Sequence, residues 1–411
     1  MSVKKALYDL TVRAVDITTP WLALLPGKTG EFFRERKDWK KTLARTPIKP
    51  GGIWIHAASA GEYEQAKPVM EKLKEKYPDR PLILTFFSPS GYRFAQNKTP
   101  ADYVLYLPLD TRKNATYFLE KTNISAALFI KYEFWPNFLH TLHQKKIPTF
   151  LVSGIFRENQ SVFRQSFLKK SLSAFTAFFV QDEKSAKLLQ TYGFKNVHVT
   201  GDTRFDTVFK LLDHKSELPV ISDFKGNSKL LTAGSTWPPD ENALLNFITN
   251  PAARDWKLLI IPHEPTPKHI NALLKKSPVK TALYSTYGSG DRDARILIAD
   301  VMGLLKFAYR YTEAAYVGGG FGKGIHNILE AAVYGVPVIF GPKYRKFNEA
   351  IELLKLGGGF SINSENELKS LILNDLTDDK LVQAGRIAAD FVRNRTGASE
   401  KIVNILEKYL N

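Results

Sequence analysis

At 411 residues the chain exceeds an ordinary single core, and with 44% hydrophobic and 12% aromatic residues it can fill two packed domains, which excludes a disordered chain. It has no cysteine, which excludes a disulfide framework and any thiolate nucleophile or metal ligand and suits a reducing compartment. The formal net charge of +17 calls for an anionic partner: nucleic acid, phospholipid headgroups or a phosphorylated substrate.

The first residues lack the apolar core and cleavage site of a signal peptide, and no segment approaches the ~20 apolar residues of a membrane span. Val3, Leu7, Leu10, Ala14 and Ile17 recur at spacings of four and three, one stripe of an amphipathic helix. Trp21, Leu22, Leu24 and Leu25 follow between Pro20 and Pro26. Then come Lys28, Arg34, Arg36, Lys37, Lys40, Lys41, Arg45 and Lys49, interleaved with Phe32, Phe33 and Trp39. Together these read as a surface lying on an anionic membrane, so residues 1–49 are expected to associate with one. The alternative is a helix packed on its own domain beside a solvated charged face.

From Ile53 onward short β-rich runs alternate with helical stretches. Strands are expected at 53–56, 81–88, 103–109, 126–132, 148–153, 174–181 and 197–200, with amphipathic helices at 64–76, 111–121 and 183–192 between them. Residues 213–228, containing Pro219, Asp223, Gly226 and Asn227, read as a connection. The alternation then restarts with strands at 229–233, 257–261, 281–284, 295–299, 314–317 and 337–340, and a helical tail over 365–410. Apolar strands separated by helices predict parallel sheets covered on both faces: an α/β chain of two Rossmann-like, doubly wound domains, 50–212 and 213–411, facing a cleft.

Candidate chemistry sits where strands end. "WIHAASAGE" runs from a strand through Ala57, Ala58, Ser59, Ala60 and Gly61 into Glu62, at the opening of a helix. A helix N-terminus is expected to hold Glu62 ionised and only weakly basic. "ALFIKYEFWPN" places Glu133 at the end of a neighbouring strand, and a lone Glu at a helix start is ordinarily a cap. In "AAYVGGGFGKGIHNILEAA" a strand enters Gly318, Gly319, Gly320, Gly322 and Gly324, and a helix is expected to open near His326. Backbone amides there predict an anion cradle, with Glu330 one turn on, placed to take both hydroxyls of a ribose. The spacing fits neither the dinucleotide nor the P-loop signature. "TAGSTW" ends another strand at Ser235 and Thr236, and "LLIIPHEP" ends one at His263 and Glu264. His263 and His269 are six apart with prolines between, not four apart on one helix, and there is no cysteine, so no metal site is expected.

The stretches "WIHAASAGE", "TFFSPSGYR", "YLPLD", "YEFWPN", "VTGDTRFD", "VGGGFGKGIHNILEAA" and Gly341–Pro342, in this order over most of the chain, resemble the 3-deoxy-D-manno-octulosonic acid (Kdo) transferase family of lipid A glycosyltransferases. The resemblance implies a B-type glycosyltransferase fold, a CMP-Kdo donor, no cofactor or metal, and inversion at the anomeric carbon. It implies an acceptor-binding N-terminal domain, a lipid A precursor (lipid IVA) as acceptor, and a place on the cytoplasmic face of the inner membrane, in lipopolysaccharide and outer-membrane biogenesis. By motif position Glu62 matches the catalytic base and Glu133 the second acid of a Glu-x-Glu-x-Trp-Pro-Asn motif. Asn327 and Glu330 match nucleotide-binding residues. Ser235, Thr236, His263, Gly319, Gly320 and Lys323 complete the expected donor contacts, and Ser59 and Arg204 are expected to touch acceptor or Kdo. Lys131 stands where the family has Glu, Arg204 where it has Lys, and His263 where it has Arg, so His263 or Lys323 is expected to supply the charge at the donor phosphate. Two rival readings are a sugar-nucleotide 2-epimerase of the same fold, which has no use for the N-terminal stretch, and a basic nucleic-acid-binding protein, for which no recognition motif is present. The expected partners exclude nucleic acid.

Overall fold

The structure is a computed structural model that describes residues 3–96, 99–214 and 217–410. Lys215 and Ser216, in the expected connection, lie outside the described residues. Contacts divide the chain into two units, Met1–Thr207 with Thr396–Asn411, and Val208–Arg395.

The first unit is built on a seven-stranded parallel sheet in the order β3-β2-β1-β4-β5-β6-β7. Its strands are β1 (Ile53–His56), β2 (Leu82–Phe86), β3 (Tyr103–Tyr106), β4 (Ala126–Ile130), β5 (Thr149–Gly154), β6 (Ala177–Val180) and β7 (Val197–Val199). The four residues of β1 are buried on both faces, as a central parallel strand covered by helices requires. The sheet winds outward from β1 to β3, then restarts at β4 beside β1, so the order reverses between β1 and β4.

The second unit repeats the plan in the order β10-β11-β9-β8-β12-β13-β14. Here β8 is Lys229–Thr236, β9 Trp256–Pro262, β10 Thr281–Leu283, β11 Ile296–Ile298, β12 Ala314–Val317, β13 Val338–Phe340 and β14 Gly359–Ser361. Its order reverses between β8 and β12. In open parallel sheets the strand ends at such reversals diverge and leave room for a ligand. Residues 359–361 are too short and glycine-rich to show in the sequence pattern as a strand.

Some expected boundaries move. The run 81–88 stops at Phe86 because Ser88 caps the helix Pro89–Ala95, its Oγ accepting from the Gly91 amide at 3.1 Å. The second domain does not run to the C-terminus. The helix Ala398–Leu410 returns to the first unit, burying Ile402, Val403, Leu406 and Leu410 in that core. The amides of Gly397 and Ser399 donate to the Asp206 carboxylate at 2.6 and 2.7 Å, fixing where the chain crosses back.

At the N-terminus helices run over Val3–Leu22, Gly27–Lys37 and Trp39–Arg45. The first is pinned by polar side chains: Tyr8 donates to Asp110 at 2.8 Å, Lys5 to Asn137 at 2.9 Å, and Asn114 to Asp16 at 2.9 Å. Its apolar stripe points outward, with Val3, Leu7, Leu10, Ile17 and Trp21 all exposed. The helix therefore packs on its domain through its polar face. Arg36 departs from the basic surface run: it is buried, donates to the carbonyls of Leu107 and Phe32 at 3.0 Å each and to that of Phe87, and lies over the Phe32 ring. No helix among the described residues is long and apolar enough to cross a membrane.

Candidate active site

In the first unit the expected acids stand at the ends of β1 and β4, the two strands flanking the reversal. Small residues after β1 let the chain turn at once into the helix Ala60–Lys76, with Ser59 as its N-cap. Ser59 Oγ accepts from the Glu62 amide at 3.4 Å, and Glu62 Oε2 accepts from the amides of Ala58 and Ser59 at 2.5 and 3.2 Å. This is a capping box. Cap and candidate base are thus one residue, and Ser59 is occupied as the cap.

The electrostatics correct the expectation of a weakly basic Glu62. Its pKa is raised to about 7: burial contributes most and the charge of Glu133 adds to it, outweighing the Ala58 and Ser59 amides and Lys131. The cap hydrogen bonds favour the carboxylate, but desolvation and a second acid win.

Glu133 is fixed by neighbours the sequence did not single out. Its Oε2 accepts from Trp135 Nε1 at 2.8 Å and lies 3.3 Å from His56 Nε2. His56 ends β1, is fully buried, and places Nδ1 2.9 Å from Thr85 Oγ1. Thr85 Oγ1 in turn accepts from Trp54 Nε1 at 2.8 Å. His56 Nδ1 also lies 3.2 Å from the Thr85 carbonyl, so one line of hydrogen-bonding groups runs from Trp54 in the core through Thr85 and His56 to the Glu133 carboxylate. Lys131 precedes it with φ of 60°, a left-handed conformation uncommon outside glycine. The signal for His56 was a polar residue closing an otherwise apolar strand.

Arg204 forms an ion pair rather than an open charge. Its Nε and terminal nitrogen donate to Asp202 Oδ2 at 2.8 and 2.6 Å, and Gln65 donates to the other Asp202 oxygen at 3.1 Å. Burial works to raise the Asp202 pKa, but the Arg204 guanidinium outweighs it and holds Asp202 below the usual carboxylate range.

In the second unit the ends of β8 and β12 bring "GST" against "GGG". Ser235 has φ of 53° where the β8–β9 register slips, and a Cβ on Gly318 would stand 2.3 Å from the Ser235 carbonyl. A Cβ on Gly320 would meet the Gly341 backbone at 2.6 Å, so these two glycines are demanded by packing. Thr236 is buried and its hydroxyl donates to Glu241 at 3.0 Å, inside the protein.

The anion cradle is smaller than expected. Gly322 and Gly324 donate to the Gly319 carbonyl at 2.9 and 3.1 Å, His326 to Gly318 at 3.2 Å, and Gly319 to Asp240 at 3.0 Å. Those four amides are therefore already used. The helix opens at Leu329, not near His326, and spans only Leu329–Ala332, too short for a strong dipole. Asn327 takes the turn before it, accepting from the Leu329 amide at 3.1 Å while donating to Glu330 at 3.3 Å, so these two expected donor residues are joined.

Lys323 and His263 are both exposed. His263 stacks on His326 at 4.3 Å between centroids and lies 5.1 Å from the Trp237 ring, and Trp237 Nε1 donates to His326 Nε2 at 3.2 Å. Burial, then His263, holds His326 below its ordinary pKa, keeping it a hydrogen-bond acceptor at neutral pH. Trp237 and His326 had no assigned role in the sequence. No group of three His, Cys, Asp or Glu among the described residues is arranged to hold a metal ion.

Comparison with known proteins follows the same division. Residues 32–207 match the family of 3-deoxy-D-manno-octulosonic-acid transferase (Kdo transferase). The 3-deoxy-D-manno-octulosonic acid transferase of Haemophilus influenzae is 28% identical over 381 residues, 88% of each chain. That of Aquifex aeolicus is 27% identical, covering 81% of this chain and 88% of the relative. Among solved structures, a putative UDP-N-acetylglucosamine 2-epimerase from Listeria monocytogenes matches with TM-score 0.62 at 12% identity, over 88% of this chain and 97% of that one. The UDP-GlcNAc 2-epimerase of Neisseria meningitidis matches with TM-score 0.60 at 16% identity, over 87% of this chain and all of that one. At such identity these structures show the fold alone, the two-Rossmann-unit, B-type glycosyltransferase plan. In sequence the chain is a relative of the Kdo transferases, and the family's own domain accounts for residues 32–207.

Proposed function

We propose that this protein is an inverting glycosyltransferase that moves Kdo from CMP-Kdo to a lipid A precursor. The observation that carries the reading is Glu62: a half-buried carboxylate at a strand end by the sheet reversal, raised to about 7 and acting beside Glu133, in a chain whose relatives are Kdo transferases. A base poised near neutrality matches proton removal from an alcohol during attack.

In the reaction the acceptor hydroxyl oxygen forms a bond to the anomeric carbon of Kdo as the bond from that carbon to the CMP phosphate oxygen breaks. CMP leaves with the electron pair, and the hydroxyl proton passes to Glu62. Glu133, held by Trp135 and His56, adds to burial in raising the Glu62 pKa and is the second candidate to touch the acceptor sugar. The donor is assigned to the second unit, with Glu330 and Asn327 on the ribose and with Ser235, Gly319, Gly320, His263 and Lys323 around the phosphate. The Thr236 hydroxyl is committed to Glu241, so Thr236 contributes through its backbone. Ser59 and Arg204 act by holding the turn and Asp202, respectively.

The outward stripe from Val3 to Trp21 supports peripheral attachment to the inner membrane, on the side where a nucleotide sugar is available. The test is incubation with CMP-Kdo and tetra-acylated lipid A precursor, followed by mass spectrometry of the lipid. Added Kdo mass supports the reading. No added mass, together with epimerisation of a soluble UDP-sugar by a protein lacking residues 1–45, establishes the epimerase instead.

A further inference from the structure

A cavity of about 400 Å³ lies in the first unit, outside every residue assigned to the transfer. Its lining carries the cations Lys5, Arg112 and Lys170 and the imidazoles of His140 and His143. These come from four helices: Val3–Leu22, Arg112–Thr122, Pro136–Gln144 and Ser166–Leu172. The first and last are held together by Tyr8 and Phe167, whose rings lie 5.8 Å apart. His140 and His143 are three apart and share a helix face, while Ser166 and Lys170, four apart, share another.

The charge in this pocket is poorly compensated. Lys5 is engaged by Asp9 and by Asn137, and Asp9 also feels Arg112. Among the described residues no carboxylate forms an ion pair with Arg112, His140, His143 or Lys170. His140 registers the result. Burial lowers its pKa first, and Arg112, Lys5, His143 and Lys170 all lower it further. Positive groups from separate helices converging on one open volume, with serine hydroxyls between them, are the arrangement an oxyanion relieves.

We propose that this pocket binds a phosphate monoester, with Arg112 and Lys170 neutralising it and His140, His143 and Ser166 donating to its oxygens. A tetrahedral dianion accepts from several directions at once, whereas a carboxylate is planar and is satisfied by one fork. The same chemistry is offered by a soluble phosphorylated compound and by the headgroup of an amphiphile. The helix that supplies Lys5 also carries the exposed Leu7 and Leu10, which places an apolar surface beside the pocket.

The experiment uses the full chain with its histidines labelled for NMR and requires no transferase activity. Inorganic phosphate is titrated at fixed ionic strength, with chloride as the compensating salt. The expected result is a saturable shift of the His140 and His143 signals and an upward move of the His140 titration midpoint. In Arg112→Ala/Lys170→Ala the apparent affinity should fall at least tenfold at unchanged Tm, because both residues are exposed. Arg112→Gln/Lys170→Gln repeats the measurement with bulkier neutral side chains. A second arm compares phosphatidylcholine vesicles containing phosphatidic acid with vesicles of equal surface charge containing phosphatidylglycerol, a diester. A preference for phosphatidic acid that both double variants lose assigns the pocket to a headgroup, and phosphate binding without that preference assigns it to a soluble compound. The proposal is overturned if neither probe gives a response, or if the response survives in both double variants.

Discussion

Substitution of Glu62 by Gln separates the two roles the structure gives this residue. Gln keeps a carbonyl oxygen that can accept from the Ala58 and Ser59 amides, and the capping box tolerates Gln at this position. It cannot take a proton from an alcohol. Turnover should therefore fall by ~10²–10⁴, the usual contribution of a positioned base. Stability should move the other way with pH. Because the folded pKa is raised from 4.5 to about 7, the native state binds this proton more tightly than the unfolded chain. That contribution is full below pH 4.5 and is lost as pH rises through about 7. A displacement of this size corresponds to on the order of 3 kcal/mol as an upper bound. Glu62→Gln should thus melt higher than the parent at pH 8 relative to its standing at pH 5. Wild-type turnover should rise with pH through about 7, and in Glu133→Gln that limb should move to lower pH, since the Glu133 charge helps raise the Glu62 pKa. Calorimetric melts at two pH values and a pH–rate profile for the three proteins supply the data. Near-normal turnover in Glu62→Gln refutes the base assignment and leaves a cap, and a Tm lowered equally at both pH values refutes the raised pKa.

Glu330→Ala should weaken CMP binding by ~1.5–3 kcal/mol, about tenfold to a hundredfold, through loss of charge-assisted hydrogen bonds to the ribose, and titration calorimetry on the folded variant checks this. Gly320→Ala should cost ~1–3 kcal/mol of stability, measured by urea denaturation, because the added methyl meets the Gly341 backbone at 2.6 Å. Leu7→Glu/Trp21→Glu should release the protein from anionic vesicles in co-sedimentation without lowering Tm, since these side chains are 63% and 66% exposed. Adding salt should weaken the same binding, because of the eight basic residues from Lys28 to Lys49 only Arg36 is buried; equal binding to neutral and anionic vesicles at low salt would contradict the electrostatic part.

What could be read from the order of residues is what local physics controls. The alternation of apolar runs with amphipathic segments gave both parallel sheets, because central strands such as β1 and β4 must be apolar on both faces. The glycines after β12 marked their turn because a Cβ at Gly318 or Gly320 has no room, and the stretch before Glu62 marked its turn through Ser59, the N-cap of the helix that follows. The stripe from Val3 to Ile17 was visible because helical spacing is fixed, and its exposure agrees with it. Contacts between segments distant in the chain were not legible. The return of Ala398–Leu410 to the first core depends on Asp206, nearly two hundred residues earlier, receiving the Gly397 and Ser399 amides. The raised pKa of Glu62 comes first from its burial and then from the charge of Glu133 beyond β4, and the support of Glu133 requires His56 and Thr85 from two other strands. The burial of Arg36 depends on carbonyls of Phe87 and Leu107, and the three cations and two histidines of the pocket beside the first helix come from four helices. Charge and hydrogen bonding act through space at a few ångströms, so their outcome is set only when the sheet order brings those strands and helices side by side.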